Sequence, residues 1–361
     1  MMKRILIFLA TAMFLVVLIA GCTPGSGDTG RDDPDDGRLR VVTTIFPQYD
    51  FIRQIAGDRV ALSMLISPGA EAHSFDPTPR DIISLGNADL FVYVGGHADE
   101  WVHDILASVE NETLRTASMM DMVFGHHDHD HSHNDHHDDD HDHDHSHNDD
   151  HSHDHNDHDH SHNDNHSHDH NHDHDHGHND NHSHDHDHDS HVWTSINNAM
   201  MITFALRDIL SELDPENAEY FHDNAAAYAE ELVGLLEAFS EVVNESVRNT
   251  VVFGDRFPFY HLMQDFGLVA HAAFEGCGTE TQASPGRVAQ LIEIVESQHI
   301  PVVFYIEFSS QTIANTIAEA TDATLLLLHS AHNVSAEDYA AGITFVEIMT
   351  RNAQHLRQAL S

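Results

Sequence analysis

Apolar residues in this chain fall into short unbroken runs set between amphipathic stretches. Residues 41–45 (VVTTI) read as a buried strand, and a helical pattern follows to 55, where Gly57-Asp58 breaks it. Residues 60–66 form a second run, closed by Pro68-Gly69. Asp76-Pro77-Thr78-Pro79 opens a helix to about 85, because a proline in a first turn gives up an N–H that has no helical partner. A strand at 89–94 and a helix at 98–109 complete this part. Strands alternating with helices argue for a parallel α/β sheet.

The pattern stops at 126 and resumes at Val192-Trp193. Helical periodicity then covers 195–213. A second helix starts at Asp214-Pro215-Glu216 and runs to about 247, with Ala225, Leu232, Leu235 and Phe239 along its apolar stripe. A helix of about 32 residues would span nearly 50 Å, enough to bridge two lobes. Strands at 251–253, 268–272, 301–306 and 324–328 then alternate with helices at 257–266, 285–298, 311–320 and 335–360. The predicted fold class is α/β: two lobes with parallel sheets, 40–214 and 249–361, joined by one long rigid helix over 215–248.

Residues 126–190 explain the interruption. They hold 28 His and 21 Asp without one Glu, Lys or Arg, and no apolar residue, so they read as a disordered insertion in the first lobe. The other 40 acidic residues still outnumber the 15 Lys and Arg, so the body of the chain is acidic too. With a formal charge of −46 and Lys3 as its only lysine, the chain has no basic face for a nucleic acid.

The N-terminus sets the compartment. Lys3 and Arg4 precede an apolar run over 5–20 that is too short for a comfortable membrane span and reads as a signal peptide over 1–21. It ends in Leu18-Ile19-Ala20-Gly21-Cys22, which resembles the bacterial lipobox. A lipid on Cys22 would anchor the protein to the cell membrane from outside, with 22–39, rich in Gly, Asp, Pro and Ser, as the tether. The only other cysteine is Cys277, in a Gly-Cys-Gly turn where a small structural residue is the simpler reading than a nucleophile.

Enzyme signatures such as G-x-S-x-G, H-E-x-x-H or a phosphate loop are absent from the sequence. Four histidines at strand-to-helix junctions say more. His73 follows the second strand, His191 precedes Trp193, His329 directly follows the last strand, and His332 lies three residues on. Ligands of α/β sheets gather at the carboxyl ends of strands, and several imidazoles with a carboxylate or water suit Zn²⁺.

HSFDPTP at 73–79 and HVW at 191–193 resemble the first two metal-ligand motifs of the metal-binding solute-binding lipoproteins of zinc and manganese ABC transporters. The order of lipobox, α/β lobe, His-rich insertion, long helix and second lobe fits as well, over about 40–361. The resemblance implies a metal held in the cleft between the lobes, with His73 and His191 as ligands. It also implies an extracytoplasmic receptor, a monomer, that is not an enzyme and delivers its ion to a permease and ATPase. The usual third ligand is a His after the first strand of the second lobe, in an H-D-A-F pattern; here that stretch is Gly254-Asp255-Arg256-Phe257. The usual fourth is an acid in D-P-L-G; here it is His329-Ser330-Ala331-His332.

The expectation is that one imidazole is lost at 254 and another gained at 329, giving His73, His191 and His329. The fourth ligand would come from Glu307, His332 or water, with Glu71 a weaker candidate, and Asp255 or His261 coordinates instead if the alignment at Gly254 is displaced. Nitrogen donors favour Zn²⁺ over Mn²⁺. A manganese receptor on the same scaffold, a surface zinc buffer or adhesin without a transport role, and a metallohydrolase are the alternatives. The His/Asp tract would act as a local zinc trap, with no tract histidine in a defined site.

Overall fold

The computed structural model describes residues 37–71, 75–125, 189–274 and 283–361. The leader, Cys22 and most of the tether, His73, residues 126–188 of the His/Asp tract, and Cys277 lie outside the described residues. Among the described residues no helix is long and apolar enough to cross a membrane.

Two four-stranded parallel sheets carry the fold. The first contains β1 (Leu39–Thr43), β2 (Val60–Met64), β3 (Leu90–Tyr93) and β4 (Arg115–Ser118) in the order β2-β1-β3-β4. The second contains β5 (Thr250–Phe253), β6 (Val269–Ala272), β7 (Val302–Tyr305) and β8 (Thr324–Leu327) in the order β6-β5-β7-β8. The two sheets therefore share one topology. In each, the strand order reverses beside the first strand, which makes the carboxyl ends there the natural place for a ligand.

Side-chain alternation sorts the core. Val41 and Val251 face one large apolar cluster that runs through both sheets, whereas their neighbours Val42 and Val252 face small separate clusters under the outer helices. Both faces of both sheets are thus covered, as parallel sheets require. The outer layers are α2 (Pro79–Gly86) and α3 (Glu100–Ala107) on the first sheet, and α8 (Pro285–Ser297) and α9 (Thr312–Thr321) on the second. At the start of α2 the Thr78 N–H donates to Asp81 Oδ2 at 2.7 Å, closing a capping box.

The inner layer joins the halves. It consists of α1 (Phe46–Ala56), α4 (Met119–Phe124), α5 (Ile196–Leu213), α6 (Ala218–Asn244), the short α7 (Tyr260–Phe266), α10 (Ala336–Ala341) and α11 (Phe345–Leu360). The 27-residue α6 spans about 40 Å. It buries Phe221, Ala225, Tyr228, Leu232, Leu235, Phe239 and Val242, a repeat of alternating fours and threes that keeps one stripe on the core. Tyr228 meets Phe51 of α1, and Phe239 stacks on Phe266 of α7 with ring centroids 5.4 Å apart. The last helix reaches back to the first: the Phe345 N–H donates to the buried Asp50 carboxylate at 2.6 Å, and Arg53 bonds both Asp50 and the Ile343 carbonyl. Burial pushes the Asp50 carboxyl up, against the pull of Arg53 and these donors.

Some boundaries differ from the sequence reading. The linking helix is shorter, because Pro215–Asn217 forms a 3₁₀ turn and the helix ends at Asn244. The last helix is two, broken at Gly342, whose φ of 77° ends α10. The helix expected at 257–266 begins only at Tyr260. Strand β4 and helix α4 were not expected: β4 is Arg-Thr-Ala-Ser with an exposed first half, so no apolar run announces it.

Asp99 terminates β3 in a pH-sensitive way. Its Oδ2 accepts from the N–H groups of Val94 (2.6 Å) and Gly95 (3.2 Å). Burial pushes its pKa up to about 6 despite both donors. A raised folded-state value means that the group favours folding fully below its unfolded value near 4 and loses that contribution as pH rises through 6. Urea denaturation of wild type and Asp99→Asn should therefore converge or cross on acidification: the wild type gains about 2–3 kcal/mol relative to the variant between pH 7 and pH 4. A pH-independent difference would show that the carboxyl titrates alike folded and unfolded.

Candidate metal centre

The turn after β8 is densely hydrogen-bonded where the two lobes meet. At its start the His329 N–H donates to Asn352 Oδ1 (2.9 Å), and Asn352 Nδ2 donates back to the His329 carbonyl (2.7 Å). Next, the Ser330 N–H donates to Glu307 Oε2 (2.8 Å), and the Ser330 hydroxyl to Glu307 Oε1. The Ser330 carbonyl accepts from Trp193 Nε1 (2.8 Å), across the seam. The His332 carbonyl accepts from the Phe46 N–H at the start of α1 (3.3 Å). Asn333 Nδ2 donates to the carbonyls of Ser67 (2.8 Å) and Ala70 (2.9 Å). Ala331 sits in the left-handed region at φ 59°, a conformation that costs a non-glycine residue about 1 kcal/mol and persists where neighbours over-determine it.

His191 enters from the first lobe. It precedes a 3₁₀ turn, Val192–Thr194, and Ser195 then caps α5 by accepting the Asn198 N–H. Asp189 Oδ1 accepts both the His191 backbone N–H (2.8 Å) and Nδ1–H (2.9 Å). Burial pushes the Asp189 carboxyl up, but the hydrogen bonds from His191 and the nearby His191 and His261 rings outweigh it and leave the group below its ordinary range. Three rings then meet. The His191 and His332 centroids are 5.4 Å apart and nearly perpendicular, and Trp193, itself 1% exposed, lies 5.2 Å from each.

The candidates from the sequence separate on this geometry. His191 and His332 come together from different lobes. His329 does not join them through Nδ1, because that atom accepts the Ala331 N–H at 3.0 Å, the contact an Asx turn makes. Glu307 Oε2 stands 3.6 Å from the same Nδ1, and both Glu307 oxygens are engaged by Ser330. Asp255 is likewise spent on backbone, its Oδ1 accepting the Arg256 N–H and its Oδ2 the Ile306 N–H. His261 donates Nε2–H to the Asp189 carbonyl at 2.8 Å. Glu71 forms a two-pronged pair with Arg256 at 3.2 and 3.3 Å.

Among the described residues no three His, Cys, Asp or Glu side chains stand close enough to hold an ion, and His73 lies outside them. Beside His332 a cavity of about 20 Å³, lined by Glu71, Arg256, Glu307 and Ser330, has room for one water-sized species and for no organic ligand. Asp189 and Asn352 were missed by sequence reasoning. The Asp-x-His spacing at 189–191 carries the first, but it is the last of 21 Asp in the tract. No sequence signal marks Asn352.

Comparison with known proteins bears on the family. A family profile described as "ZnuA: Zinc-uptake complex component A periplasmic" matches residues 41–359. The zinc-binding lipoprotein AdcA of Streptococcus pneumoniae is 28% identical over 364 residues, covering 99% of this chain and 61% of that protein. The chain thus spans under two thirds of the length of that relative. The high-affinity zinc uptake system protein ZnuA of Bacillus subtilis is 25% identical over 359 residues, covering 98% of this chain and 97% of that protein. The crystal structure of the Zn(II)-bound ZnuA-like domain of S. pneumoniae AdcA superposes with a TM-score of 0.64 at 25% identity, over 90% of this chain and 99% of that one.

Position 254 is closed. A Cβ built on Gly254 would lie 2.3 Å from the Ala314 Cα and 2.7 Å from its N, both on α9, so the chain has no space for a side chain there. Gly254→Ala should cost about 2–3 kcal/mol, read as a lower urea midpoint, because a helix backbone has to give way. An unchanged midpoint would mean that α9 yields freely and that a ligand could be restored at 254.

Proposed function

The chain belongs to the ZnuA family of zinc-uptake components, and from that premise we propose that it is an extracytoplasmic receptor that captures Zn²⁺ and hands it to an ABC permease and its ATPase. A lipid on Cys22 would hold it at the cell membrane. No bond is made or broken in this role. The observation that carries the reading is the His191–His332 contact, in which two imidazoles from different lobes meet against a buried indole. We assign His73, His191 and His332 as the imidazole donors. His329 and Glu307 then act as the frame of the turn that presents His332, supported by the bonds each makes within that turn.

Imidazole nitrogen suits Zn²⁺, whereas Mn²⁺ prefers oxygen, which favours zinc over the manganese alternative. The small cavity beside His332 also suits a bare ion as cargo. The His/Asp tract, which ends immediately before His191, would raise the zinc concentration beside the site through many weak, exchangeable donors.

Zinc titration of the full chain against a competing chelator separates a tight site from the tract. One chelator-resistant equivalent is expected. His191→Ala and His332→Ala should each weaken it by about 100-fold or more, roughly 3 kcal/mol. His329→Asn keeps an acceptor for the Ala331 N–H and should retain the tight equivalent. Absence of a chelator-resistant equivalent would overturn the receptor reading; its loss in His329→Asn but not in His332→Ala would exchange the two ligand assignments.

A further inference from the structure

We infer that Asp189 is a positioning residue for metal capture, its carboxylate fixing His191 in the Nδ1–H form so that the lone pair of the neutral ring lies on Nε2. This rests on the reading of His191 as a ligand. One oxygen, Oδ1, accepts both the backbone N–H and the ring Nδ1–H of His191, at 2.8 and 2.9 Å, so the ring and the chain that carries it are held to one point. A carboxylate behind a ligating histidine sets its tautomer and orientation and raises its basicity.

Asp189 is itself held from the second lobe. His261 on α7 donates Nε2–H to its carbonyl at 2.8 Å. The next turn of α7 carries Asp265, whose carboxylate accepts the hydroxyl of Ser195 (2.7 Å), the cap of α5. Both ends of the segment 189–195 are therefore braced by one helix, and His191 lies between the braces. The Asp189 side chain is 15% exposed and that of His191 5%, so water does not compete freely for the bond. An acid that composition alone assigns to an indifferent tract thus belongs to the site.

The test uses the full chain and three measurements: zinc affinity by chelator competition, thermal midpoint, and the imidazole ¹⁵N shifts of His191 in the metal-free protein, assigned by their loss in His191→Ala. Asp189→Ala should weaken zinc by about 10–100-fold and move the ring toward the Nε2–H form. Asp189→Asn keeps an acceptor for both N–H groups, so its thermal midpoint should match the wild type while zinc still weakens about 10-fold for want of the charge. A purely local structural role predicts wild-type affinity in Asp189→Asn. That result, or a wild-type His191 in the Nε2–H form, overturns the inference. If His191→Ala itself binds zinc as the wild type does, the failure lies instead with His191 as a ligand.

Discussion

The turn at 329–334 is the constraint on which the arrangement depends. It leaves the last strand of the second sheet, yet several of its backbone polar groups are answered from outside the turn: by Asn352 on α11, Glu307 after β7, Trp193 before α5, and Phe46 at the start of α1. Its next residue, Asn333, holds the 67–70 segment of the first lobe. Each such bond contributes about 1 kcal/mol net, but breaking one leaves a buried group unanswered at 1–3 kcal/mol. The turn therefore moves as a unit or not at all, and it carries His332 with it.

That rigidity agrees with the packing around it. The main apolar cluster is continuous from Val41 to Leu360 and includes residues of both sheets. Helix α6 touches α1 in its first half and α7 in its second, and Phe51 touches both Tyr228 of α6 and Phe345 of α11. Two lobes that share one core and the linking helix α6 cannot swing apart as lobes on a flexible hinge do without exposing that core, and exposure costs about 25 cal/mol per Å². Under the proposed receptor reading, an ion would be captured by local rearrangement at the seam.

Much of this was legible in the sequence, because the signal was local. Apolar runs of three to seven residues gave seven of the eight strands, and the Gly, Pro and Asp breaks gave most helix starts. Strand β4 stayed hidden because half of it faces solvent. The site was legible only as a set of strand ends. Choosing between His329 and His332 needs the Ala331 N–H on His329 Nδ1 and the ring of His332 against His191, contacts between residues that the sequence places two and 141 positions apart. The role of Asp189 was masked by its neighbours: a tract of 21 Asp hides the one whose spacing matters.

The fate of the carboxylates explains how so acidic a chain builds a nitrogen-rich site. A strand that ends leaves N–H groups without ladder partners, and an unanswered buried N–H is costly. Asp99 answers Val94 and Gly95 after β3, Asp255 answers Arg256 and Ile306 after β5 and β7, and Glu307 answers Ser330 after β8. Asp189 does the same for His191, and Asp50 for Phe345. The acids nearest the carboxyl ends of the strands, where a hard cation would look for oxygen, are thus committed to the backbone. Beside the Glu71–Arg256 pair, the described residues of the two lobes bring imidazole to the seam, His191 held by Asp189 and His332 carried on the turn that Glu307 braces, and in the proposed receptor these nitrogen donors suit a nitrogen-seeking metal.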